Sequence, residues 1–346
     1  MKKTFKLTSV LMAVVLIVVA FAACSSGEKA ADQSKTEVKS TTDASKQPDA
    51  NKPATPAKKV RVGFSQCQSS DPWRVAQINS IKSEAEKRGY ELVYTDAGGD
   101  ASKQISDVED IVAQKVDYLI LDPREEEGSV PALQAANKAG VKTIVIDRLV
   151  KGQAGTDFIT YIGTDFVWEG KAAGEWLAKA KNGKANIVEI TGTAGSSAAI
   201  DRQKGFKEAI SKFPDMKIIA SQTANFSRAD AQKVMENIIQ SKGKQFDTVF
   251  AHNDEEAMGA IQALKSAGLQ PGKDVTVIGI DGEKDAVKAI IAGELSVTVT
   301  CNPLYGPITF DTLEKVIKGE KIDTKIILPD YIIDKTNAEE MLPKAF

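Results

Sequence analysis

A scattered set of polar and aromatic residues could do chemistry in this chain, because each stands just past an apolar run or opens a helix. The set is Asp71, Trp73 and Arg74; Asp147 and Arg148; Arg202; Phe226; Asn253; Asp281; and Asn302. Carboxylates only accept hydrogen bonds, guanidiniums only donate, and an asparagine amide does both. A hydroxyl group donates and accepts at once, so one Asp and one Arg can satisfy it with charge-assisted bonds. The flat faces of Trp73 and Phe226 suit the apolar C–H face of a ring. The combination therefore points to a neutral polyol. A phosphate would call for a Gly-rich turn opening a helix, and neither G-x-x-x-x-G-K-[ST] nor G-x-G-x-x-G occurs.

Each residue also has a plainer reading. Asp147-Arg148 could be a surface ion pair, Trp73 a core residue, Arg202 a solvated helix charge and Arg74 a solvent-facing one at a helix start. Asp281 could cap a helix near 284. Arg124, beside Glu125, Glu126 and Glu127, reads as a solvated charge run, and His252 as structural. Asp147 and Asp281 could form a glycosidase pair, but arginine neighbours should keep them ionised and poor as general acids. With no G-x-S-x-G elbow and a single histidine, no catalytic residue, cofactor or metal is expected.

The elements that must position these residues are regular from Val60 onward. Strands are expected at 60–66, 91–95, 117–122, 142–147, 185–191, 216–222, 246–251, 274–280 and 296–301. Helical windows lie between them, among them 73–88, 102–115, 165–181, 199–212, 228–241 and 254–267. Continuous apolar strands alternating with helices imply α/β, doubly wound parallel sheets. A strand–turn–helix unit starting at Tyr90 recurs at Met216, with Val108 and Val234 in register. That repeat implies two similar lobes, whose strand ends can form both walls of one cleft.

The first residues address the compartment. Lys2 and Lys3 precede an apolar run from Val10 to Ala23, which is the pattern of a secretory signal peptide. The run is too short to span a membrane. Cys24, after Phe21-Ala22-Ala23, looks like a lipidation site, with Phe21 in place of the usual Leu. Residues 25–58 hold Val38 as their only large apolar residue and read as a disordered tether. Loss of residues 1–23 removes Lys2, Lys3 and Lys6 and takes the net charge from −2 to −5. Neither value suggests a nucleic-acid partner. Cys67 and Cys301 make no disulfide framework.

From about 60 to 340 the chain resembles the periplasmic-binding-protein type 1 sugar receptors, the ribose/galactose class that serves ABC importers. The matching strings are VGFSQ, SEAEKRGYEL, VIDR, IVEITGTAGSSAAIDRQKGF, ANFSRADAQKVMENIIQ, FAHNDEEAMGAIQALKSAG and VIGIDG. GFSQ…WR, GTAGSSAAIDRQKGF and AHNDE point to the galactofuranose-binding branch. The resemblance implies that Asp147, Arg148 and Arg202 hold the sugar. It puts Phe226 on the ring face opposite Trp73, has Asn253 and Asp281 close the polar set, and leaves Asn302 near a crossover. It also implies a three-segment hinge near 164–165, 302–303 and 331–332. The division is then 1–23 signal peptide, 24–58 lipidated tether, 59–164 plus 303–331 first lobe, and 165–302 plus 332–346 second lobe. The implied protein is a monomer, lipid-anchored outside the cytoplasmic membrane, that hands a monosaccharide to an ABC importer permease; a sensing subunit is the alternative. The related ribose receptors carry an aromatic pair where this chain has Trp73-Arg74, which favours a furanose over a pyranose. The segment LDPREEEGS (121–129) departs from the branch pattern at what would be the cleft rim.

Overall fold

The computed structural model describes residues 59–346, so the signal peptide, Cys24 and the tether lie outside the described residues. The chain first lays down β1 (Arg61–Gln66), α1 (Pro72–Lys87), β2 (Glu91–Asp96), α2 (Ala101–Ala113), β3 (Tyr118–Leu121), α3 (Val130–Lys138), β4 (Lys142–Ile146) and β5 (Thr160–Gly163). There follow α4 (Phe166–Ala180), β6 (Lys184–Thr191), α5 (Ser197–Ile210), β7 (Asp215–Thr223), α6 (Arg228–Lys242), β8 (Thr248–Ala251), α7 (Asp254–Ser266), β9 (Thr276–Asp281), α8 (Lys284–Ile291) and β10 (Val297–Thr300). The last elements are α9 (Gly306–Ile317), β11 (Lys325–Ile327), β12 (Ile332–Asp334) and α10 (Ala338–Met341).

Two six-stranded sheets result, ordered β11-β5-β4-β3-β1-β2 and β12-β10-β9-β8-β6-β7. The first is parallel throughout; the second is parallel except where β12 runs against β10. The repeated unit occupies the same edge in both, as β2–α2 and β7–α6. Val108 is fully buried, whereas in the second copy it is Met235, next to Val234, that is. Strands such as Val62 to Phe64 and Ile144 to Ile146 are buried on both faces, which is why they read as apolar runs. β5, β11, β12, α3 and α9 were not expected from the sequence: the strands have only three or four residues, too few to show a period.

The chain leaves the first sheet after β5, returns after β10 and leaves again after β11. Between the last two passages α9 packs on the first layer, where Phe310 meets Tyr90 and Arg88 pairs with Asp311 and Glu314.

Helix starts are fixed at the carboxyl ends of strands. Asp71 accepts from the Arg74 amide, Asp165 from Trp168, Ser196 from Ala199 and Asn253 from Glu256. Each such cap contributes about 0.5–2 kcal/mol. It also aims the positive end of a helix at the sheet's carboxyl edge. α4 and α5 touch backbone to backbone. A Cβ at Gly170 would overlap the Arg202 carbonyl, and one at Gly205 the Val167 carbonyl, so both positions require glycine. Among the described residues no helix is long and apolar enough to cross a membrane.

Candidate ligand-binding site

The strand ends are strained. Asp147 (φ 58°), Asn225 (57°), Phe226 (63°) and Asp281 (140°) all hold positive φ without being glycine. Such conformations cost of order 1–3 kcal/mol each and persist where the surroundings over-determine them. Asp147 and Asp281 follow or end the fourth strand of their own sheet, so the same distortion recurs at the same place in each half.

In the first half, α1 brings Arg74 inward rather than to solvent. Its Nη1 lies 2.6 Å from Asp122 Oδ2 and 2.7 Å from Asp147 Oδ2. Nη1 also donates to Gln77 Oε1 at 3.2 Å, while Nε and Nη2 make no hydrogen bond within the described residues. Burial pushes the Asp122 carboxyl up to about 7, with Arg74 opposing and Asp147 adding. Arg148 donates from Nη1 to the Arg124 carbonyl at 3.2 Å, and its buried Nε makes no hydrogen bond but lies 3.9 Å from Asp147 Oδ2. Burial, and then the neighbouring charge of Arg74, pulls the Arg148 guanidinium down. The Trp73 indole donates to the Cys301 carbonyl at 2.7 Å and meets Tyr305 edge-on.

In the second half, α5 brings in Arg202. It donates to Glu169 Oε2 at 2.7 Å and to the His252 carbonyl at 2.7 Å, and reaches Asp281 Oδ1 at 3.4 Å. Each half thus sends an arginine from the helix after its first strand to the ends of its third and fourth strands. Phe226 lies between the halves, with the guanidinium carbons of Arg148 and Arg202 at 5.0 Å and 5.9 Å from its ring centre. Gly192 leaves room for that ring, which a Cβ would overlap. Asn253 spends its oxygen on the α7 cap, and its amide nitrogen makes no hydrogen bond within the described residues.

Asp71, Trp73, Arg74, Asp147, Arg148, Arg202, Phe226, Asn253 and Asp281 line one cavity, together with Ala198 and Cys301. It holds about 310 Å³ including space open to solvent. That is the small end of the range for ligand sites. The mouth is drawn shut by two backbone donors from the first half: Leu149 to Ser197 Oγ at 2.8 Å and Glu126 to the Gly195 carbonyl at 2.9 Å. The segment LDPREEEGS therefore reaches the second half through the Glu126 amide, with the Glu125 side chain beside Gly195, but none of its residues lines the cavity.

Several expectations need correction. Asn302 does not line the cavity. It lies in the passage beyond β10, near the crossover where the resemblance put it; its oxygen accepts from the Leu304 amide at 2.9 Å, and it lines a neighbouring depression with Asp281 and Tyr331. Cys301 takes its place at the cavity. Asp281 is no helix cap; Asp254 accepts from Gly282 and Glu283 there instead. Nor does Arg202 keep Asp281 low, because burial pushes that carboxyl well up. Arg124 is no solvated charge: its side chain is 17% exposed and sits against Glu125 and Gln68. His252 is fully buried beside Glu189, as its structural reading had it. Two site residues escaped the sequence. Asp122 follows β3 just as Asp147 follows β4, and it is nearer the strand end than Arg124. Glu169 sits inside a helix, and only the α4–α5 contact brings it to the site.

The model of the periplasmic binding protein domain matches residues 62–321. The chain belongs to this family. The galactofuranose-binding protein YtfQ of Escherichia coli (strain K12) is 42% identical over 272 residues, covering 78% of this chain and 86% of that protein. A crystal structure of a galactofuranose binding protein superposes with a TM-score of 0.80 at 41% identity, over 82% of this chain and 98% of the other. The binding component of the arabinose ABC transporter from Shewanella sp. ANA-3, bound to α- and β-L-arabinofuranose, does so with a TM-score of 0.79 at 37% identity, over 82% and 95%. The two-sheet architecture is that of the type 1 periplasmic binding proteins. These relatives are binding proteins, and neither Asp147 nor Asp281 is given a catalytic role.

Proposed function

We propose that the protein is the sugar receptor of an ABC importer, and that it takes one monosaccharide in the furanose form, galactofuranose first and arabinofuranose second. The observation that carries this reading is the cavity itself. Arg148 and Asp147 from one half face Arg202, Asp281 and Asn253 from the other, around the ring of Phe226. Bonding capacity left over is of the right kind: the free Nε and Nη2 of Arg74 and the amide of Asn253 are donors, and the paired carboxylates are acceptors for hydroxyls. Arg74 stands where a second stacking ring would grip a pyranose, and it offers donors to an exocyclic tail instead. The names and bound sugars of the relatives support the same class of ligand.

In this reading 59–164 plus 303–331 and 165–302 plus 332–346 are lobes that hinge about the cavity. The protein is a monomer held outside the cytoplasmic membrane by lipid on Cys24, and it delivers its sugar to the importer permease. Cys24→Ser should release it from the detergent phase; equal partitioning would remove the anchor. Calorimetry of the purified chain against pentoses, hexoses and methyl furanosides tests the ligand. Binding of furanosides in preference to pyranosides is expected. Binding of pyranosides alone would overturn the furanose, and no binding across the panel would overturn the sugar receptor.

A further inference from the structure

Three passages of chain join the two halves, and one buried side chain is bonded to the residue where the first of them meets the second. Glu169, fully buried in the first turn of α4, accepts from Thr164 Oγ1 at 2.6 Å. Thr164 lies in the first passage, and its hydroxyl stands 3.5 Å from Cys301 Sγ in the second. Asp330, in the third passage, accepts at Oδ1 from Thr300 Oγ1 at 3.1 Å. Burial first, and the charge of the neighbouring Glu169 second, push the Asp330 carboxyl up to about 8.

The other oxygen of Glu169 accepts from Arg202 Nε at 2.7 Å. The residue therefore holds a cavity-lining guanidinium with one oxygen and Thr164 of the first passage with the other. The helices that carry the pair cannot slide apart cheaply, since Gly170 and Gly205 set them in backbone contact.

We propose that Glu169 is a positioning residue that sets the Arg202 guanidinium and ties it, through Thr164, to the passages between the lobes, so that sugar capture and hinge bending are one event. The proposal rests on the reading of Arg202 as a sugar anchor. When a ligand hydroxyl draws on Arg202, the pull reaches Thr164, and Cys301 beyond it, through one carboxylate. A residue serving stability alone would leave affinity and release untouched at temperatures where the protein is folded.

The test uses the full chain with methyl β-D-galactofuranoside and L-arabinose, reading Tm, affinity and dissociation rate. Glu169→Gln keeps shape and one acceptor but loses the charge. Thr164→Val keeps shape and loses only the hydroxyl, so it covers the case in which Glu169→Gln fails to fold. Glu169→Gln should weaken binding about 10- to 150-fold, the range for a bond to a charged group. Thr164→Val should speed release about 3- to 10-fold. The effects of Thr164→Val and Glu169→Gln should not add in the double variant, because both act on one side chain. If folded variants bind and release as wild type does, Glu169 is structural only and the proposal is overturned. If wild type binds neither sugar, the furanose reading fails and the proposal with it.

Discussion

The Leu149 amide donates across the cavity mouth to Ser197 Oγ at 2.8 Å, joining the residue after Arg148 to the helix that carries Arg202. The two strongest candidate anchors are thus one residue away from, and on the same helix as, the contact that holds the halves together. Ser197→Ala should leave the association rate unchanged and speed release. The affinity loss should be about 0.5–1.5 kcal/mol, the net value of one hydrogen bond. Stopped-flow fluorescence of the tryptophans would show it, and an unchanged release rate would mean that the contact does not hold the closed form.

Arg148 and Arg202 should separate binding from stability in opposite ways. Arg202 is bonded on three sides, and its loss strands Glu169 and Asp281 in the interior. Arg202→Ala should therefore cost about 3–5 kcal/mol of stability as well as affinity. Arg148 has an Nε with no hydrogen bond and only a 3.9 Å ion pair to Asp147, and it is disfavoured by burial and by Arg74. Arg148→Met should abolish sugar binding while leaving the ligand-free Tm equal to or above that of wild type. Urea titration and calorimetry on the two variants would decide, and a strongly destabilised Arg148→Met would contradict the asymmetry.

Arg74→Phe should weaken furanose binding and narrow the gap to ribopyranose. It also removes the partner of both Asp122 and Asp147, at about 3–5 kcal/mol for a broken buried pair. Adding Asp122→Asn should recover part of that stability without recovering the furanose preference. A preference that does not move in a folded Arg74→Phe, Asp122→Asn double variant would show that Arg74 has no part in choosing the ring.

Ligand-free stability should fall as pH rises from 6.5 to 8. Burial raises Asp122 to about 7 and Glu256 to about 8, from ordinary values of 3.8 and 4.5. Between its two values such a group binds more protons in the folded protein than in the unfolded one. Its stabilisation is complete below the unfolded value and is lost as pH rises through the folded value. Each unit of displacement corresponds to about 1.4 kcal/mol. His252 is displaced downward by burial and acts in the opposite sense, but only below its ordinary 6.5. Scanning fluorimetry between pH 6.5 and 8 isolates the carboxyls, and a flat or rising Tm would contradict their assignment.

The strand ends were legible because a buried parallel strand announces itself as an apolar run, and polar residues at or just past its end lie near the cavity. Asp147, Asp281 and Asn253 were readable on that basis. Side-chain partnerships were not. Whether Asp281 caps α8 or meets Arg202 depends on Asp254, whose place is set by a different helix. Glu169 gave no local sign at all, since its role comes from two glycines that let α4 and α5 touch. Asn302 failed for the converse reason. It follows a strand, but the chain there is crossing between layers, so position past a strand no longer means position at the cavity.

The α4–α5 backbone contact has an evolutionary reading. Arg202 rides on two helices that leave no space for a methyl group between them, so its place is nearly fixed by inheritance. Trp73 and Arg74 are held instead by side-chain bonds, to the Cys301 carbonyl and to Asp122 and Asp147. A lineage can therefore change what that wall offers by editing a few side chains together, while the anchor opposite stays as it was.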